Sequence, residues 1–151
     1  MIERELGDLA DETGLRIKIS GCPNSCGQHH IAGIGLYGGA RKFYDEQAPT
    51  YQLMLGATLA PGRVRFGKPM ARVPAKQVPD TVKALLGLYR DERKPKETFD
   101  AFVDRTEPER LRSVLAPWTE LPPSSEAPGK YLDWGADEKF KLETGTGECA
   151  A

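Results

Sequence analysis

The sequence predicts an α+β chain, with a small mixed or antiparallel sheet first, packed helices after it and an extended C-terminal tail. Three observations carry this. Apolar residues recur with period two in short runs before residue 56, and at helical spacing after residue 78. Beyond residue 117, Pro122-Pro123-Ser124-Ser125 and Pro128-Gly129 break any periodicity. At 151 residues the chain is long enough for one domain with its own core.

Taken in order, Leu6, Leu9 and Ala10 share one face over residues 3–13, a helix that Gly14 ends. Leu15, Ile17 and Ile19 alternate with Arg16, Lys18 and Ser20, the pattern of a half-buried strand. Residues 26–32 have room for one or two helical turns. Ile34 to Tyr37 reads as a second strand ending at Gly38-Gly39, with residues 40–49 a polar connection. Tyr51, Leu53 and Leu55 alternate with Gln52 and Met54 in a third strand. Pro61-Gly62 marks a turn. Short strands at Val64–Phe66 and Arg72-Val73 flank Gly67-Lys68-Pro69.

Pro79-Asp80 opens a helix whose stripe is Val82, Leu85, Leu86 and Tyr89. A second helix carries Phe99, Phe102 and Val103. Thr106-Glu107-Pro108-Glu109 has the form of a capping box with Thr106 as N-cap, and Leu111, Val114 and Leu115 follow on one face. Pro122-Pro123-Ser124-Ser125 and Pro128-Gly129 mark a linker, and Trp118 and Trp134 are expected to anchor the tail by packing. The organisation is therefore a domain over 1–116 and a linker with tail over 117–151.

Charge narrows the function. The 21 basic and 22 acidic residues, with a pI near 6.2, lack the basic excess of a general nucleic-acid or membrane-surface binder. No apolar run reaches the ~20 residues that span a bilayer. The opening MIERELGDLADE is acidic and amphipathic, unlike a secretory signal, so a cytoplasmic location is expected. Three cysteines do not suit a disulfide scaffold.

One stretch stands apart: ISGCPNSCGQHH, residues 19–30, holds two of the three cysteines and both histidines. A strand running into a glycine-containing cysteine loop suits metal binding. Gly21 permits unusual backbone conformations, Pro23 stiffens the turn, and free N–H groups can point at sulfur. Asn24 and Ser25 can add polar contacts. If Cys26 begins a helix, its thiolate gains from the helix dipole. Two other readings stand beside this one. The cysteines could simply flank a tight turn, or zinc could bind through Cys22, Cys26 and His29 or His30. Adjacent side chains on a helix diverge by about 100°, so both histidines reaching one ion is awkward. A four-thiolate cluster needs four cysteines, and only Cys149 remains, far away in the tail and read as a free, exposed thiol.

Taken whole, ISGCPNSCGQHHIAGIGLYG resembles the second cysteine motif of the siroheme-dependent nitrite and sulfite reductases. The resemblance covers most of residues 2–116 and is most specific over 17–38. It implies an oxidoreductase in which an earlier C-x5-C pair and a later C-x3-C pair hold a 4Fe-4S cluster. The last cysteine also bridges to the siroheme iron, where nitrite is reduced to ammonia or sulfite to sulfide with six electrons. By this resemblance Cys22 and Cys26 are cluster ligands, Cys26 is the bridging thiolate and Asn24 lies at the cofactor. The C-x5-C pair is absent here, so the chain looks like the C-terminal part of such an enzyme. The implied partners are an upstream segment or subunit carrying that pair, and an electron donor such as ferredoxin or a flavoprotein. Neither nucleic acid nor membrane is expected. Arg41, Lys42, Arg63, Arg65, Lys68, Arg72 and Lys76 would favour a polycarboxylate tetrapyrrole nearby, but none is assigned to a siroheme contact and they are read first as a solvated strand face. The alternatives are a non-catalytic electron-carrier module in which two chains pool their cysteines, a zinc-binding Cys/His loop, or a remnant that binds nothing.

Overall fold

The computed structural model describes residues 15–142; the expected helix over 3–13 and Cys149 lie outside them. Among the described residues, four strands form one mixed sheet in the order β1-β2-β3-β6. Strand β1 (Ile17–Ser20) runs parallel to β2 (Ile34–Phe43), which pairs antiparallel with β3 (Glu46–Leu55), and β3 pairs antiparallel with β6 (Lys68–Pro74). Strands β4 (Thr58–Ala60) and β5 (Arg63–Arg65) make a separate ribbon around the Pro61-Gly62 turn.

Two sequence expectations need correction here. Strand β2 does not stop at Gly38-Gly39, and residues 40–49 are not a polar connection. They belong to a long β2–β3 hairpin in which Gly38 pairs with Tyr51 and Phe43 with Glu46. The turn is only Tyr44-Asp45, with Tyr44 at φ 52, where a glycine is more usual. Nothing in the composition announced that turn. The second correction concerns β1. Ile19 is 45% exposed while Ser20 is 5% exposed, the reverse of the expected alternation. The strand lies at the sheet edge, and the cysteine loop folds over its polar face.

The apolar face of the sheet packs on three helices. Helix α1 (Val78–Glu92) has Pro79 in its first turn, where a missing N–H costs nothing. Its stripe of Val82, Leu85, Leu86 and Tyr89 is buried with Ile34, Leu36, Leu53, Leu55 and Val73 from the strands. Helix α2 (Phe99–Arg105) is capped by Thr98, whose Oγ1 accepts the Ala101 N–H at 3.3 Å. The rings of Phe99 and Phe102 each meet Tyr89 edge-on with centroids 5.4 Å apart, a geometry worth ~0.5–1.5 kcal/mol per pair beyond burial.

Helix α3 (Pro108–Leu115) buries Leu111 and Leu115, as the spacing predicted. The capping box does not form. Thr106 instead closes α2, its Oγ1 donating to the Phe102 carbonyl at 2.6 Å, and Glu107 becomes the N-cap of α3 without a side-chain bond.

The chain beyond α3 has little regular structure yet is tied down. Leu121 and Tyr131 form a second small core with Phe43 and Ala48, and Tyr131 Oη donates to the Pro122 carbonyl at 2.9 Å. Trp134 Nε1 donates to the Ala75 carbonyl at 3.0 Å under the Lys76 ammonium, so this tryptophan does anchor the tail.

Candidate metal centre

Strand β1 ends at Ser20 and delivers the chain into the loop Gly21–Gln28 on the polar side of the sheet. Cys22 and Cys26 both sit on this loop, both exposed and free. Asn24 is exposed between them. Ser25 (φ 63) and Gln28 (φ 57) take left-handed backbone, and Gln28 N–H donates to the Ser25 carbonyl at 2.7 Å, which turns the loop back on itself. A single 3-10 turn, His29–Ile31, follows and returns the chain to β2. Cys26 therefore lies ahead of any helical backbone, and the expected helix-dipole assistance to its thiolate is absent.

The loop lies close on the sheet because two strand residues lack side chains. A Cβ on Gly35 would run into the His29 carbonyl, and one on Gly38 into the Gly21 carbonyl. Ring contacts hold the returning end. The His29 ring lies 4.8 Å from that of Tyr37, and the His30 ring meets Phe66 at 5.5 Å. Gly67 N–H donates to the His30 carbonyl at 2.8 Å.

Ser20 and His29 were not singled out as a pair by sequence reasoning. His29 is 2% exposed, with Nδ1 2.9 Å from Ser20 Oγ, and the same oxygen accepts the Gly27 N–H at 3.2 Å. Burial, and then the neighbouring His30, lower the His29 pKa, so its ring is neutral at pH 7. The only signal in the sequence was a serine on the polar side of a strand, nine residues before a histidine.

This arrangement bears on the competing readings. Among the described residues, no three His, Cys, Asp or Glu side chains gather as a metal-binding group. Neither His29 nor His30 gathers with the two cysteines as a third zinc ligand. What the loop does offer is two free, exposed thiols four residues apart and a buried Ser25 Oγ that has no protein partner. That donor set fits half of a four-thiolate iron–sulfur site.

The basic residues are mostly engaged elsewhere. Arg41 reaches Glu120 and the Thr119 carbonyl, Arg63 and Arg65 both pair with Asp104, Arg72 reaches the Ala40 carbonyl and Lys76 covers Trp134. Lys42 and Lys68 remain exposed. Holding Asp104 with its arginine face, the β4–β5 ribbon turns Val64 and Leu59 outward, with Phe66 just beyond. No helix among the described residues is long and apolar enough to cross a membrane.

A mixed sheet backed by helices, with a free cysteine pair on a strand-borne loop, defines an α+β domain. Comparison with known proteins makes the class specific. The family model for the nitrite and sulphite reductase 4Fe-4S domain matches residues 13–121, and the chain belongs to that family. It is 33% identical over 96 residues to the sulfite reductase (NADPH) hemoprotein beta-component of Xylella fastidiosa, covering 63% of this chain and 15% of that protein. The corresponding protein of Methylobacterium nodulans is 36% identical over 98 residues, covering 64% and 15%. Among solved structures, the Mycobacterium tuberculosis NirA protein aligns with a TM-score of 0.64 at 28% identity, over 74% of this chain and 21% of NirA. The chain thus spans about 15% of the length of these curated relatives.

Proposed function

We propose that this chain supplies the second cysteine pair of a 4Fe-4S cluster coupled to siroheme in a nitrite or sulfite reductase. The observation that supports this most directly is the pair of free, exposed thiols four residues apart on a loop held against the sheet. Cys22 and Cys26 would ligate the cluster as thiolates, and Cys26 would also bridge to the siroheme iron. Asn24, exposed on the same loop, would face the cofactors. When bound, the cluster and siroheme together would supply the electron relay for six-electron reduction of nitrite to ammonia or sulfite to sulfide.

This chain's own contribution is to present two ligands in a fixed place. The other two would come from an upstream segment or subunit carrying a C-x5-C pair, and electrons from a cytoplasmic ferredoxin or flavoprotein. Since most of the strand-borne basic side chains are engaged internally, the groups that hold the substrate anion and the siroheme carboxylates would also come largely from that partner.

The test is iron and acid-labile sulfide per chain after anaerobic reconstitution with siroheme, with and without a co-expressed upstream segment, alongside the visible spectrum. Cluster and siroheme absorption that appear only with the upstream segment, and vanish in Cys22→Ser, are expected. Four irons per two chains without siroheme absorption would replace this reading with a cluster shared across a twofold dimer. No iron under either condition would overturn it.

A further inference from the structure

We infer that Ser20 and His29 are positioning residues that set the Cys22–Cys26 loop in its ligating shape before any metal is present. The inference rests on reading Cys22 and Cys26 as paired ligands. The loop leaves the sheet at Ser20 and rejoins it through His29, and the 2.9 Å contact between Ser20 Oγ and His29 Nδ1 closes it at its neck. The Gly27 N–H on the same oxygen fixes the backbone directly after Cys26. Because both side chains are buried, water does not compete for this contact.

The anchor also has no room to slide. The Tyr37 ring lies against the His29 ring, and the His29 carbonyl rests on Gly35. Outside the neck, Lys18 Nζ bonds Gln28 Oε1 at 2.5 Å in solvent, a contact too exposed to hold the loop alone. The cysteines themselves are exposed. Closing the loop at its neck restricts the backbone that carries both thiols and so lowers the ordering cost of chelation. His29 thus serves the metal site without being a ligand. Groups that orient ligands in this way typically change metal affinity 10–100-fold when removed.

Phenylarsine oxide tests this without iron. Its arsenic stays trivalent while two S–As bonds form, and water carries away the oxide oxygen and both thiol protons. Binding is measured in the full chain with Cys149→Ser, alongside single-thiol alkylation by iodoacetamide and the thermal midpoint of each variant. His29→Ala and Ser20→Ala are expected to weaken arsenical binding about tenfold, with alkylation rates unchanged. His29→Asn, whose side-chain amide can still bond Ser20 Oγ, is expected to recover most of the loss. If His29→Ala does not fold, Ser20→Ala and His29→Asn carry the comparison. Folded variants that bind the arsenical as tightly as the parent would overturn the inference. Because no iron is involved, that result leaves the cluster assignment standing, whereas failed cluster assembly with intact arsenical effects would fault the assignment alone.

Discussion

Gly35 of β2 lies directly under the His29 carbonyl: a Cβ built on Gly35 would fall 2.8 Å from that carbonyl carbon and closer still to its oxygen. The cysteine loop and the sheet therefore touch backbone to backbone. An alanine in place of a strand glycine would ordinarily stabilise by roughly 0.5–1 kcal/mol through backbone entropy. Here overpacking, at about 1–3 kcal/mol, outweighs that gain. Gly35→Ala is expected to lower the urea midpoint and to weaken arsenical binding by Cys22 and Cys26 as the loop lifts. An unchanged midpoint would mean that the loop yields freely.

Gly87 is the opposite case. It sits inside α1, and a Cβ there would meet nothing within 4 Å. Gly87→Ala is expected to stabilise by roughly 0.5–1 kcal/mol, since helix propensity acts with no steric opposition. Urea unfolding of the two alanine variants in parallel checks both signs at once.

The contrast between these glycines also shows what was legible in the sequence. Periodicity located α1 and the heart of β3, because Val82, Leu85, Leu86, Leu53 and Leu55 face one core and keep its spacing. The cysteine pair was visible from residue types alone. Gly38-Gly39 misled because a glycine that admits another backbone looks, in sequence, like one that ends a strand. The hairpin at Tyr44-Asp45 was hidden because its positive φ falls on a tyrosine. Thr106 misled because the same threonine can open one helix or close another, and Pro108 decides the matter by starting α3 after Glu107. The Ser20–His29 neck was invisible, since it depends on where the loop lands.

Cys22→Ser and Cys26→Ser separate ligation from folding. Both side chains are exposed and unbonded, so each change is expected to alter stability by no more than about 0.5 kcal/mol. Each should nonetheless abolish cluster retention in the assembly with the upstream segment. Thermal unfolding and iron content, measured on the same preparations, give the two readouts. A large loss of stability in either variant would point to a structural role for that thiol.

Acid should weaken the fold in two separable stages. The His29 pKa is lowered by burial and by His30, so the folded state resists a proton that the unfolded chain takes up near 6.5. Its contribution is complete above 6.5 and is lost progressively as pH falls below that value. Glu97 acts lower. Arg105 donates to its carboxylate at 2.6 and 2.9 Å, the Lys94 N–H donates to it at 2.9 Å, and together they depress its pKa from 4.5 to about 2. A depressed carboxylate stabilises fully above its unfolded pKa and ceases to do so as pH falls through about 2. Glu97→Gln is therefore expected to flatten the stability profile between 4.5 and about 2 while leaving the decline that begins near 6.5. Ser20→Ala should leave the lower stage intact. Thermal midpoints from pH 8 to pH 3 for the parent and both variants provide the check. A Glu97→Gln profile parallel to the parent below 4.5 would assign the lower stage to other carboxylates.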